Sequence, residues 1–290
     1  MLPVLLDLKF IKIYTMGVFL VLAFFWGSFV LWRLIRLSSY KEEDIFDSLF
    51  NALWGGLLMG RVVYVALNFR EFGFDLFKFL LINGYPGISL YGALFGFFLV
   101  LHLQCMLKKI RTDAMADYFI PSLFLAEGIG KLGSFFSGSE AGVRTAFILS
   151  VKYANMDGLR HLSPFYESIA FFILAYLAHK VLFEIRKDHL QTGFNASFFF
   201  WGHAFVYFLF DNMKQYRLYF LGYSFNGAVS AILLLTFSFY FVYYFRSPIK
   251  DKTVHIKNLI LRHVKKSFKN IFRKAKKEDR RRTKKNPPSG

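Results

Sequence analysis

Apolar residues in this chain come in aromatic-rich blocks of about twenty, the length a helix needs to cross the hydrocarbon core of a bilayer. Seven such blocks lie at roughly 13–32, 45–69, 88–107, 115–137, 164–183, 196–213 and 225–245, and short polar stretches separate them. The pattern predicts an all-α integral membrane protein with seven transmembrane helices over residues 1–246, followed by a basic tail at 247–290. An apolar content of 55% with 20% aromatics agrees with that reading and disfavours a soluble helical protein with a large core. The apolar patch Met1–Leu6 is too short for a cleavable signal and lacks a basic start and a small-residue cleavage site. The chain is therefore expected to insert through its own first span.

Charge adds an orientation. Lys and Arg in the short loops differ little between the two sides, but residues 246–290 hold seventeen of the 37 basic residues and three acids. This puts the C-terminus in the cytoplasm and, with seven crossings, the N-terminus outside. Ile256, Ile260, Val264, Phe268 and Ile271/Phe272 recur at helical spacing among the tail's lysines. They predict a basic amphipathic helix on an anionic inner leaflet; the alternative is a disordered basic tail ending in Asn286-Pro-Pro-Ser-Gly. No feature of the tail calls for a specific nucleic acid over generic phosphate attraction.

Chemistry is sparse, so the polar residues inside the apolar blocks carry the functional reading. Cys105 is the single cysteine, which excludes a disulfide framework and points to packing. There is no Gly-rich phosphate loop and no metal-binding His/Cys spacing, and no metal or cofactor is expected. Arg61 falls in the second block beside Gly56 and Gly60, a small-residue face for close helix contact. An arginine there must face the protein interior, either ion-paired or in a functional site. Asn83-Gly-Tyr-Pro86 leads into Gly87-Ile-Ser89-Leu-Tyr91, which suggests a broken or re-entrant start with backbone open to a polar site. Asp117 opens the fourth block, and Glu127 and Lys131 follow at i, i+4, readable as an intrahelical ion pair or as a cation kept for a lipid phosphate. Gly128 to Gly142 is the densest polar and small-residue stretch of the chain, with Ser134, Ser137 and Glu140 beside Lys131. A long external loop ends in His161-Leu-Ser-Pro-Phe-Tyr166-Glu167, and His203, Tyr207 and Asp211 form one helical stripe in the sixth block. Tyr14 begins the first block, as an interfacial aromatic or as part of a site.

Taken in order, these motifs resemble those of the prolipoprotein diacylglyceryl transferase family from about Tyr14 to Phe245. Gly60-Arg61-Val-Val-Tyr64-Val is similar to the family's Gly-Arg-x-Gly-Tyr-Val. Gly87 to Gly96 resembles its Gly-x-Ser-x-His-Gly-Gly-x-x-Gly, with Tyr91 at the histidine. Lys131-Leu-Gly-Ser134-Phe-Phe-Ser137-Gly138 stands where the family has Arg-x-Gly-Asn-Phe-x-Asn-Gly, and Gly142 matches the glycine that follows. His161 to Glu167 resembles His-Pro-Ser/Thr-Gln-Leu-Tyr-Glu. In the sixth span Tyr207 stands at an arginine and Asp211 at a glutamate.

The resemblance implies the same seven-span topology in a bacterial cytoplasmic membrane. It also implies transfer of diacylglyceryl from phosphatidylglycerol, or another anionic phospholipid, to the lipobox cysteine thiol of a prolipoprotein signal peptide. The chemistry needs a thiolate and cations on the phosphate leaving group. It implies catalytic roles for Lys131, His161, Tyr91, Tyr207 and His203. Substrate binding falls to Tyr14, Arg61, Ser89, Ser134, Ser137, Gly142, Tyr166, Glu167 and Asp211. Lysine keeps the charge of arginine but lacks its two-pronged grip on phosphate, and a phenol is a poor base near neutrality. Two readings follow: an enzyme with a rewired site, or an inactive relative that binds phospholipid or lipoprotein. A small transporter with a polar midplane is the third class.

Overall fold

The computed structural model describes residues 2–8, 11–82, 84–153 and 156–246. The amphipathic helix expected in the tail lies outside the described residues. An N-terminal hairpin, β1 (Val4–Leu8) and β2 (Ile11–Tyr14), leads into α1 (Thr15–Ile35) and α2 (Glu42–Leu67). Two short helices, α3 (Phe69–Phe72) and α4 (Leu76–Leu80), precede α5 (Leu90–Leu107) and α6 (Thr112–Ser137). A second hairpin, β3 (Ser150–Lys152) and β4 (Leu159–His161), precedes α7 (Ser163–Arg186) and α8 (Phe194–Phe210). A 3-10 turn at Asp211–Met213 and a small hairpin, β5 (Tyr219–Phe220) and β6 (Tyr223–Ser224), lead to α9 (Phe225–Tyr244).

Among the described residues, α1, α2, α5, α6, α7 and α9 are long and apolar enough to cross a membrane. Helix α8 has 17 residues, a length of about 25 Å at 1.5 Å per residue, and falls short of that criterion. Large apolar side chains such as Trp54, Phe95, Leu107, Ile173 and Leu235 stay exposed, as helices facing hydrocarbon require. The described residues up to Phe237 form one compact unit.

Helix α6 organises the core of that unit, packing on α1 along one side and α7 along another. Pro121 lies inside it and has no N–H for the carbonyl of Asp117. That carbonyl is taken instead by Asn195 Nδ2 at 3.0 Å. The Asp117 carboxylate accepts the N–H groups of Gly193, Asn195 and Ala196 at 2.7, 3.0 and 3.3 Å, satisfying the free donors at the start of α8. Proline and aspartate thus fasten α8 to α6. Ser168 Oγ donates to Gly128 O at 2.8 Å and ties α7 to the same helix. Cys105 is buried and directs its thiol at Met115 Sδ, 3.2 Å away, as a packing group.

Helices α2 and α5 meet along a small-residue seam. A methyl added at Gly96 would run into the carbonyl oxygen of Gly55 and the side chain of Met59, whereas one added at Gly17 meets nothing within 4 Å. Gly96→Ala should therefore destabilise the unit by about 1–3 kcal/mol, the range for overpacking a core. Gly17→Ala should leave it within about 0.5 kcal/mol, as for a surface change. Thermal unfolding in one detergent compares them, and equal midpoints would contradict the close seam.

Candidate functional site

The site grows from the end of α6. Lys131 lies there with its side chain largely buried, and its ammonium is met from two other segments. Its Nζ is 2.7 Å from Glu140 Oε2, in the loop after α6, and 2.8 Å from Glu167 Oε2, in the first turns of α7. The Glu127–Lys131 pairing allowed by i, i+4 spacing is not used; Glu127 Oε1 instead approaches His203 Nε2 at 3.4 Å. Glu167 is 0% exposed, and its other oxygen is 2.6 Å from Lys214 Nζ. Two ammoniums and two carboxylates therefore share one cluster, with Ser134 Oγ donating to Glu140 Oε1 at 3.1 Å. The Tyr207 ring lies beneath both cations, 5.2 Å from Lys131 Nζ and 4.2 Å from Lys214 Nζ.

Backbone pairing puts Lys214 there. Val143 N donates to Met213 O at 2.9 Å and Gln215 N to Ala141 O at 3.1 Å, forming a bridge between Gly142 and Lys214. Arg160, in β4, clasps the bridge by donating from Nη1 to Gly142 O at 3.1 Å and to Gln215 Oε1 at 2.8 Å. Gly142 has no room for a side chain, because a methyl would strike the carbonyl of His161. These short paired segments beyond the helix ends hold the loops of Glu140 and Lys214 against each other.

A cavity of about 450 Å³ runs from this cluster along α1, α2 and α6. Leu20, Phe24, Leu31, Leu49 and Leu53 line its apolar length; Glu127, Lys131, Ser134, Glu140 and Tyr207 line its polar end. An apolar slot closed by a charged group suits an amphiphile. Glu127 Oε2, at this end, is buried with no hydrogen-bond partner among the described residues. Behind it His203 is 1% exposed, with its ring 4.6 Å from that of Tyr207 and 5.6 Å from that of Tyr91.

The other sequence candidates lie around or away from the cluster. Tyr91 OH is hydrogen-bonded to Ser230 Oγ at 2.5 Å, linking α5 to α9. Ser89 is the N-cap of α5, with its side chain accepting from Gly92 N at 3.3 Å. Ser89 N also donates to Gly60 O, which ties the start of α5 to α2. Arg61 is 3% exposed and donates to the carbonyls of Phe79, Lys78 and Gly87 at 2.9, 2.7 and 2.9 Å. It binds the segment between α2 and α5. Ser137 Oγ donates to Ser134 O at 3.3 Å and closes the end of α6. His161 is held in β4 with its N–H on Val143 O at 3.1 Å, and its Nδ1 is buried without a partner among the described residues. Tyr166 OH donates to Leu149 O at 2.5 Å. Asp211 is buried at the 3-10 turn, against Gly227 of α9. Tyr14 is exposed at the end of β2.

Lys214 and Arg160 are site residues that sequence reasoning missed. Only a lysine and an arginine between apolar blocks would have been visible, and nothing in their spacing marks them as inward-facing. Burial alone would raise the Glu140 carboxyl, but the ammoniums of Lys131 and Lys214 outweigh it and bring it from 4.5 to about 2. Burial, and then Lys131, push Lys214 below the usual lysine range.

Comparison with known sequences agrees with the motif reading. The sequence model of prolipoprotein diacylglyceryl transferase matches residues 3–244. The chain is 30% identical over 179 residues to the phosphatidylglycerol–prolipoprotein diacylglyceryl transferase of Clostridium tetani, covering 60% of this chain and 71% of that one. It is 24% identical over 232 residues to the protein of that name from Prochlorococcus marinus subsp. pastoris, covering 72% and 78%. For the one from Ligilactobacillus salivarius the figures are 27% over 197 residues, 62% and 69%.

A depressed carboxylate stabilises the fold above its unfolded value and loses that contribution as pH falls through its folded value. For Glu140 the window runs from 4.5 down to about 2. The wild-type melting temperature should therefore fall across that window relative to Glu140→Gln, and the two should run parallel above it. A constant difference down to the bottom of the window would contradict the ion pairing of Glu140.

Proposed function

Because the chain belongs to the prolipoprotein diacylglyceryl transferase family, we propose that it transfers diacylglyceryl from phosphatidylglycerol to the cysteine thiol of a prolipoprotein signal peptide. The observation that carries this reading is the cavity whose apolar length ends on Lys131. Acyl chains occupy the slot between α1, α2 and α6, and the phosphate lies at the polar end. In the reaction a sulfur–carbon bond forms at the glyceryl methylene and the carbon–oxygen bond to phosphate breaks. The phosphate oxygen takes the electron pair, so glycerol phosphate leaves with one more negative charge than the diester carried. Lys131 stabilises that charge, and Ser134 donates a hydrogen bond beside it.

The thiol proton goes to Glu127, the cavity-lining carboxylate with an unpartnered oxygen, and His203 shares it from behind. Tyr91 does not take that part, because its hydroxyl is engaged by Ser230. The same engagement is what favours the alternative of a lipid-binding relative without transfer. Helix α8 completes the seventh crossing, with the N-terminus outside, the C-terminus in the cytoplasm, and the ion cluster at the outer face of the bacterial cytoplasmic membrane. There both the phospholipid and an exported signal peptide are within reach.

The test uses cells depleted of their own transferase and expressing this chain with a reporter prolipoprotein. Intact mass should show the diacylglyceryl addition. Lys131→Ala should lower the rate by about 10²–10³-fold, as for loss of a group that stabilises developing charge. An unmodified reporter, with the protein inserted and folded, would sink the transfer reading in favour of the lipid binder.

A further inference from the structure

The ion cluster as it stands is neutral, with Lys131 and Lys214 balanced by Glu140 and Glu167. A neutral cluster has little to attract a phosphate, so one carboxylate must yield. The two are not equivalent. Glu167 is fully buried, sits on a helix and touches both ammoniums. Glu140 sits in the loop two residues past Gly138, whose φ of 73° ends α6, and its side chain is 39% exposed. Glu140 also lines the cavity, whereas Glu167 stands behind it. Its carboxylate takes from Lys131 and Ser134 the hydrogen bonds that a phosphate oxygen would take.

Lys214 completes the picture. A lysine in an external loop ordinarily extends into water, and Arg217 of the same loop folds back along the loop itself, bonding to Asn212. Lys214 instead turns inward, to 12% exposure, over the face of Tyr207. Burying an ammonium beside a second one is unfavourable unless an anion joins them. Glu167 is that anion for both ammoniums, and Glu140 adds a second carboxylate on Lys131.

We propose that Lys214 is the second phosphate-binding cation of this protein and that Glu140 is a built-in stand-in anion which the phosphate of an anionic phospholipid displaces. This rests on the transferase reading for its substrate and adds to it a residue and an exchange. When Glu140 swings out through its exposed side, two ammoniums and one carboxylate remain in the ion cluster, a net charge of +1 that matches a phosphodiester monoanion. Glu127 lies apart from the cluster, against His203 at 3.4 Å. Glu167 keeps the ammoniums apart and oriented throughout. As the leaving phosphate gains its second charge, both lysines are in place to meet it.

The experiment titrates short-chain phosphatidylglycerol into the full chain in a neutral detergent, reading binding by native mass spectrometry, with short-chain phosphatidylcholine as the control. Lys214→Gln should weaken phosphatidylglycerol binding by about tenfold or more, the size of a lost charge-assisted hydrogen bond, and Lys214→Arg should restore most of it. Glu140→Gln should tighten it several-fold and leave phosphatidylcholine unaffected. Wild-type affinity in Lys214→Gln, or unchanged or weaker affinity in Glu140→Gln, would overturn the proposal. If Lys214→Gln fails to fold, Glu140→Gln decides alone. Wild-type binding with these variant effects but no reporter modification would defeat the transferase reading and leave the exchange standing. Reporter modification with unchanged lipid affinities in both variants would do the reverse.

Discussion

A carboxylate with no exposed surface stays charged only where cations reach it, and much of the site follows from meeting that condition at Glu167. Its two oxygens are met by Lys131 from α6 and Lys214 from the loop after α8. Helix α7 is thereby joined to two segments distant in sequence by contacts that a low-dielectric surrounding strengthens. The dependence is mutual. Taking away one member of a buried pair strands the other charge, at about 3–5 kcal/mol. The Gly142–Lys214 bridge and the Arg160 clasp belong to the same arrangement, since they hold the loop from which Lys214 reaches inward.

Helix α6 joins this cluster to the rest of the bundle. At one end Pro121 frees a carbonyl and Asp117 caps α8; at the other Lys131 and Ser134 face the cavity. Both ends work by satisfying groups that an apolar setting leaves without water. The cavity inherits its amphiphilic character from this: leucines of α1 and α2 with Phe24 along its length, and the ionic end of α6 at its mouth. A phospholipid is apolar and anionic in the same order.

Much of the fold was legible in sequence, because a bilayer imposes its thickness on every crossing. The six long helices all overlap the apolar blocks read from the chain. The three hairpins were not legible: their strands are two to five residues long and carry no alternation strong enough to read. Lys131, Ser134 and Glu167 were recognisable, being charged or small groups where hydrocarbon was expected. Arg61 stood out for the same reason, yet its partners are three main-chain carbonyls, and carbonyls leave no mark in a sequence. Lys214 was missed for the opposite reason. It lies among loop residues where a lysine is ordinary, and only the backbone ladder to residues 141–143 turns it inward.

Tyr207 shows how such a site tolerates change. By resemblance it stands where an arginine is expected, and its phenol brings no charge. Its ring brings a face with negative electrostatic potential, and two ammoniums rest over it. A guanidinium at that position would stand beside Lys131 and Lys214 as a third cation, whereas the phenol ring adds no charge to them. With tyrosine there, the second ammonium of the ion cluster comes from seven residues further along, past the end of α8, and rests over the ring. In the proposed exchange, what counts is the sum of charges that the cluster presents to the phosphate. The chain position that supplies each charge is free to move as long as backbone geometry returns it to the same few ångströms.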